Sequence, residues 1–274
     1  RIWQYHFGQG LVKTPNDFGT RGQPPSHPEL LDHLAIHFIR SGWSSKAMHR
    51  LLMLSATYQQ GNLAPPLNYE QGGSKALAQL SPTDSFSPVA RRRLEAEELR
   101  DSILFLSADL DDTPGREQPF PPATTWGYTQ HAPFSGVYDN RQRSVYLMTQ
   151  RLKRHPFLAL FDGPDPNSST PDRRGTTVPT QALYFLNDPF VHAESEKFTE
   201  RLGSSQANEQ IKIERAYRLV FGRLPTEKER EQAVKFLGAY RAELPIEQRA
   251  RGDKLVFAAF ARVLFGSNEF LVVD

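Results

Sequence analysis

A polar loop at residues 162–177 carries many of the side chains in this sequence that could bind a ligand. It places carboxylates, an amide, hydroxyls and an adjacent arginine pair between two segments with helical character, and binding groups concentrate on such scaffolded loops. Its oxygen-bearing side chains could bind calcium, although the alternating register of an EF-hand is missing. Its arginines could hold a carboxylate, sulfate or phosphate, or fix the loop by pairing with its own carboxylates. The candidates are Asp162, Asp165, Asn167, Arg173 and Arg174.

A second polar string surrounds the turn at residues 16–22. We take Asp17, Arg21 and His27 as candidate ligand-binding residues, with His6 as a more distant member of the group. Such side chains often tie a turn down by hydrogen bonds to the backbone, and that alternative stays open. A hydrolase of a new type would require this string and the 162–177 loop to converge in one pocket.

Two histidines on one predicted helix have a spacing that metal sites use. His33 and His37 stand four residues apart, so both imidazoles would lie on the same helix face. The sequence contains no H-E-x-x-H motif and names no third ligand, so a polar helix face is the favoured interpretation. We therefore predict no metal site and treat calcium at the 162–177 loop as the alternative.

Reactive-group motifs give no support for a known enzyme class. The sequence has no G-x-S-x-G motif, no P-loop and no complete dinucleotide-binding fingerprint. It also contains no cysteine, which excludes disulfides, thiolate metal sites and covalent haem attachment in this segment. We name no catalytic residue and favour a non-catalytic role.

The composition is that of a globular protein with little net charge. The 274 residues are 38% hydrophobic and 23% charged, and 33 basic against 31 acidic residues give a net charge of +2. A nucleic-acid partner is therefore not expected, although a basic stretch at 141–155 could hold a polyanion. No apolar run is long enough to cross a membrane as a helix.

The elements that must position these residues are mostly helices. Apolar periodicity and capping patterns predict helices at 27–40, 45–58, 87–110, 179–186, 189–202, 208–221, 227–240 and 253–265. The first would begin at a capping box from Ser26 to Glu29, and the last is apolar nearly all round, as a buried central helix would be.

The remaining segments predict long loops and little β-structure. Residues 61–87 and 111–140 are rich in proline and glycine, and the second segment includes the aromatics Trp126, Tyr128 and Phe134, which could stack on a sugar or seal a core edge. Residues 143–149 predict a short strand. We expect a mainly α irregular helical bundle with at most a small β-hairpin. It would be one domain over 1–274, with 111–142 as the place where it could divide.

Several strings in order along the chain resemble one family. They include RIWQYHFGQGLV at the start, NDFG at 16–19, PPSHPELLD at 24–32, SATY at 55–58, RRRLEAE at 91–97, DGPDPN at 162–167, LNDPF at 186–190 and NEF at 268–270. The chain is similar to the planctomycete-type C-terminal domain of unknown function found in large exported bacterial proteins that often carry a cytochrome-c-like domain.

This resemblance implies a setting and no mechanism. It implies a fragment of a larger periplasmic or secreted protein, any haem lying in another domain, and a sulfatase-like partner or a polysaccharide in the surroundings. The family supplies no catalytic residues. We expect a non-catalytic helical module that docks on upstream domains of its own protein. A glycan or anionic-ligand binding module, or an uncharacterised metal-dependent hydrolase, is the alternative.

Overall fold

The computed structural model describes residues 1–59, 92–115, 124, 127, 140–151, 153–173, 175–203 and 208–273. These residues form a mainly helical protein, which confirms the predicted fold class. The helices are α1 (Ile2–Phe7), α2 (Pro28–Arg40), α3 (Ser45–Met53), α4 (Ala96–Leu106), α5 (Pro156–Leu160), α6 (Pro179–Asn187), α7 (Pro189–Leu202), α8 (Glu209–Phe221), α9 (Glu227–Glu243), α10 (Gly252–Phe265) and α11 (Asn268–Leu271).

Short elements complete the described part of the chain. Short 3-10 helices cover Ser144–Tyr146 and Ile246–Arg251. Two strands of two residues each, β1 (Arg92–Arg93) and β2 (Val272–Val273), form a two-stranded sheet. No helix of the described residues is long and apolar enough to span a membrane.

Helices with strong stop and start residues lie where the sequence predicts them. The Thr226 side chain accepts from the backbone N–H of Glu229, and the Glu229 carboxylate accepts from the backbone N–H of Thr226. The predicted capping box therefore begins α9. Asp188 caps α7 through the N–H of Phe190, and Gly222 ends α8 in the left-handed conformation. Six predicted helices, over 27–40, 179–186, 189–202, 208–221, 227–240 and 253–265, are confirmed within a few residues.

Other predicted boundaries are wrong. Helix α3 ends at Met53 instead of Tyr58, and α4 begins at Ala96, after the strand Arg92–Arg93 that the predicted helix from 87 would have included. The proposed capping box at Ser26 is also wrong. The Ser26 hydroxyl donates to the Leu11 carbonyl, and the N-cap of α2 is His27 without a side-chain bond.

The predicted strand over 143–149 is wrong as well. Residues 144–146 form a 3-10 turn, because the Asp101 carboxylate accepts from both the N–H and the hydroxyl of Ser144. That bond bends the segment toward α4, and the only bridge next to it among the described residues joins Asp111 to Gln142. The predicted loop at 61–87 and the aromatics Trp126, Tyr128 and Phe134 lie outside the described residues.

The chain divides into two compact units, at residues 1–92 and 93–273. Unit 2 is built around α10, which packs against α7 and α9 and whose buried residues include Phe257, Phe260 and Phe265. The predicted central role of this helix is confirmed. Unit 1 has a much smaller core, and its buried apolar side chains are Trp3, Leu11, Leu34, Met48 and Leu52.

Candidate functional site

The polar loop of unit 2 is held in place by its own side chains. Asp162 has a left-handed φ of 62°, and its carboxylate accepts from the N–H of Thr176 at 2.7 Å and from the Thr176 hydroxyl. The Thr176 carbonyl in turn accepts from Arg93, which also donates to Gln181 at 2.8 Å. Asp162 therefore closes the loop from residue 162 to residue 176.

A second turn in the same loop occupies Asp165 and Asn167. The Asp165 carboxylate accepts from the Asn167 N–H at 2.9 Å, and this bond lowers the pKa of Asp165 below its usual value. The Asn167 side-chain amide donates to the Arg151 carbonyl at 2.9 Å. All three side chains considered as calcium ligands, Asp162, Asp165 and Asn167, thus have hydrogen-bond partners within the protein.

The predicted anion-binding arginine Arg173 already contacts carboxylates. Its guanidinium lies 3.4 Å from the Glu95 carboxylate and 3.0 Å from the Glu97 carboxylate, at the start of α4. These partners come from a distant part of the sequence and not from Asp162 or Asp165. Arg174 lies outside the described residues.

The polar string of unit 1 forms a compact turn. The Thr14 hydroxyl donates to the Asp17 carbonyl at 2.7 Å, and the Asp17 carboxylate accepts from the Gly19 N–H at 3.2 Å. A side chain at position 22 would lie 2.2 Å from the Asp17 carbonyl, so glycine is required there. Among the described residues, no hydrogen bond or ion pair joins Asp17, Arg21 and His27 to one another. His27 contacts the Ser26 hydroxyl at 3.0 Å.

The predicted site residues divide between the two units. Asp17, Arg21 and His27 belong to unit 1, whereas Asp162, Asp165, Asn167 and Arg173 belong to unit 2. Within the described ranges, no group of three or more histidine, aspartate or glutamate side chains is arranged to hold a metal ion.

Unit 1 contains an open apolar groove of about 620 Å³, which the sequence did not reveal. It runs between α2 and α3, and Trp3 of α1 contributes to its wall. Its volume falls within the usual range of ligand-binding pockets, about 300–1,000 Å³. It is lined by Trp3, Leu30, His33, Leu34, His37, Ala47, Arg50, Leu51, Leu52, Leu54, Ser55 and Thr57.

The charged and titratable side chains along this groove are all bases. His33 and His37, the pair first considered as metal ligands, line it from α2, and Arg50 lines it from α3. Among the described residues, none pairs with the side chains of these three and no carboxylate lines the groove. The groove thus combines apolar surface with a guanidinium that has no partner among the described residues.

A histidine pair holds α1 beside α3. The ring nitrogens His6 Nε2 and His49 Nδ1 lie 2.7 Å apart, so one proton is shared between them, and the edge of the Tyr58 ring contacts His6. Burial, and then the positive charge of a protonated His49, lower the pKa of His6 below its usual value. Because Trp3 also belongs to α1, this pair helps to fix one wall of the groove.

Unit 2 contains a buried network of charges that sequence reasoning missed. Glu194 of α7 is fully buried and accepts from the Ser107 hydroxyl and from Lys197 at 3.2 Å, with Arg141 at 3.5 Å. Burial alone would lower the pKa of Lys197, but hydrogen bonds to Asp109 and Glu194 outweigh it and raise that pKa. Lys197 is three residues away, but Ser107 and Arg141 lie far from Glu194 in the sequence, so only the apolar residues around position 194 on α7 could have indicated a buried carboxylate.

Comparison with known proteins gives one match. The search of curated proteins finds no match, and the search of solved structures finds none either. A family model described as "PSD1: Protein of unknown function (DUF1553)" matches residues 1–237, most of the chain. The strings that suggested a domain of unknown function all lie in this range except NEF at 268–270. The chain therefore belongs to the PSD1 family of proteins of unknown function.

Proposed function

We propose that this chain is a non-catalytic helical interaction module that docks on another polypeptide through the apolar groove of unit 1. The groove is the observation that carries the proposal, because it is open and its wall includes Leu54, which is 65% exposed. Exposed apolar surface of this kind marks interaction sites in proteins. Its preferred partner is an upstream domain of the same, larger protein.

Further apolar side chains of unit 1 are exposed outside this groove. Leu31 and Ile39 lie two turns apart on the exposed side of α2, and Trp43 follows the helix with a left-handed φ of 61°. A bulky side chain in that conformation is strained and is found at functional positions more often than elsewhere. These residues support a binding role for unit 1.

The polar loop of unit 2 supports a structural role better than a binding role. Arg173 contacts Glu95 and Glu97, and Asp162 and Asp165 accept hydrogen bonds from their own loop. A sulfated glycan at this loop would have to compete with these contacts. The anionic-ligand alternative therefore has less support than docking.

The family resemblance supports the cellular setting of the proposal. We place the protein in the periplasm or outside the cell of a planctomycete-type bacterium, as part of a polypeptide that carries a cytochrome-c-like domain elsewhere. A sulfatase-like partner and a role in polysaccharide use belong to the same proposal. Protease protection of the native protein in intact cells and spheroplasts tests the location, and a cytoplasmic protein would contradict it.

Site-specific cross-linking tests the docking function. A photoreactive benzoylphenylalanine replaces Leu54 in the native protein in its own cells, and the cross-linked peptides are identified by mass spectrometry. We expect one defined segment of an upstream domain or a partner protein. The same residue at Lys46, which is exposed on α3 but does not line the groove, is the matched control. Equal, scattered products from both positions would contradict the proposal.

A further inference from the structure

We infer that the groove of unit 1 binds an amphipathic helix whose apolar anchor is followed, within about one turn, by an aspartate or glutamate. This inference rests on the proposed docking function and adds the chemistry of the partner. It is carried by the placement of Arg50, His33 and His37 along an otherwise apolar groove.

The shape of the groove favours a helix. Its α2 wall runs from Leu30 to His37, which is about two turns or roughly 10 Å of helix. A partner helix lays apolar side chains at positions i, i+3 or i+4 and i+7 into such a groove. A free alkyl chain would need enclosure on most sides, whereas this groove is open along its length.

The basic side chains of the groove favour a partner with negative charge. Arg50 is exposed, and among the described residues none pairs with it and no carboxylate lines the groove. A guanidinium binds a carboxylate through two parallel hydrogen bonds, which fixes geometry as well as sign. A partner with lysine or arginine at the same position would meet Arg50 and be rejected.

The apolar and charged parts of the groove have separate roles. Leu51, Leu52 and Trp3 offer surface whose burial drives association, and this term does not depend on the partner's charge. Arg50 and the two histidines lie beside that surface and determine which charge is accepted on the partner residue that follows the apolar anchor. The two contributions can therefore be removed one at a time.

A selection experiment on the whole chain tests the inference. A display library of short helix-forming peptides is selected against the 274-residue protein. The enriched peptides are then titrated by fluorescence anisotropy at low and high salt. We expect leucine or phenylalanine anchors with aspartate or glutamate one turn away, and binding that weakens as salt rises.

Variants separate the outcomes. Arg50→Glu should weaken the selected peptides about tenfold or more, and a peptide with lysine in place of its acidic residue should regain affinity for this variant. Lys13→Glu makes the same charge change on an exposed residue of unit 1 that does not line the groove and should leave affinity unchanged. Arg50→Gln, with a smaller change, provides a second test should Arg50→Glu disturb folding.

Three results would overturn the inference. The selected peptides could have apolar anchors without an acidic residue, and their binding could be lost in Leu54→Asp but unchanged in Arg50→Glu. That result would leave the docking function intact and contradict the inferred preference for an acidic partner. Binding of dodecanoate to the groove without any helical peptide would assign the site to a free amphiphilic carboxylate. Selected peptides insensitive to both Leu54→Asp and Arg50→Glu would contradict the inference and the docking function together.

Discussion

The two units differ in how they treat their apolar and charged side chains. In unit 2, α10 is surrounded by α7 and α9, and even the buried Glu194 has a hydroxyl and two cations as partners. In unit 1, a core of a few side chains leaves an apolar groove open, and Arg50 on its rim has no partner among the described residues. This difference between Glu194 and Arg50 is the reason why we assign the proposed docking function to unit 1.

The largest effect on stability is expected from a substitution of the buried carboxylate of unit 2. Glu194→Gln keeps the shape of the side chain but removes the charge that Lys197 and Arg141 contact. Lys197 and Arg141 keep Asp109 as a partner, so the loss should lie below the full cost of breaking a buried ion pair, and we expect about 2–3 kcal/mol in the free energy of unfolding. Urea denaturation followed by circular dichroism measures it.

A matched substitution gives the scale of this effect. Glu200→Gln removes a carboxylate from the same helix, where Glu200 is largely exposed and pairs with Lys254 at 2.9 Å. Exposed ion pairs contribute little, so its cost should stay below about 1 kcal/mol. Equal costs for the two variants would show that the network around Glu194 is not a stabilising feature of unit 2.

An acid titration of unit 2 gives a smaller effect. The Arg223 guanidinium, followed by the contacts from Thr226, holds the pKa of Glu229 at about 2 instead of its usual 4.5. The depressed pKa means that the stabilisation is present above pH 4.5 and is lost as the pH falls toward 2. After screening by solvent, we expect about 1–2 kcal/mol at pH 6.

The measurement compares wild type with Glu229→Gln from pH 6 to pH 2. The difference in urea midpoint should be largest at pH 6 and should shrink as Glu229 of the wild type is protonated. Glu231→Gln, an exposed change on the same helix, controls for the substitution itself. A difference that stays constant over this range would mean that the Arg223 contact does not stabilise unit 2.

Local patterns predicted the helices but not the groove. The boundaries of α8 and α9 follow from Gly222 and from the Thr226 capping box, since both act within one turn of helix. The strand expected at 143–149 failed because its conformation is set by Asp101, which is more than 40 residues away. Local propensity gives no information about such a bond.

The sequence predicted even less of the groove than of the helix boundaries. His33 and His37 could be placed on one helix face from their spacing, and both line the groove. The apolar side chains opposite them come from α1 and α3, and only packing brings these to α2. His49 drew no attention in the sequence, because its partner His6 is 43 residues away. Contacts between side chains of different helices can be identified only once the three-dimensional structure is known.

The smallest expected effect tests whether unit 1 is the adjustable unit. Because the pKa of His6 is lowered by burial and by His49, folding favours the neutral ring, and stability falls as the pH drops through the ordinary histidine range near 6.5. We expect α1 to loosen at pH 5.5 relative to pH 7.5 by less than about 1 kcal/mol, seen as faster hydrogen exchange at Tyr5 and Phe7 after correction for intrinsic rates. His49→Gln should reduce this pH dependence and leave the part that burial causes, because a neutral amide can face His6 without repulsion, whereas His33→Gln on the groove rim should leave it unchanged. Hydrogen exchange in α1 could be the same at both pH values while exchange of the α10 amides in unit 2 changes. That result would show that the histidine pair does not stabilise α1, and it would contradict the proposed difference between a rigid unit 2 and a pH-sensitive unit 1.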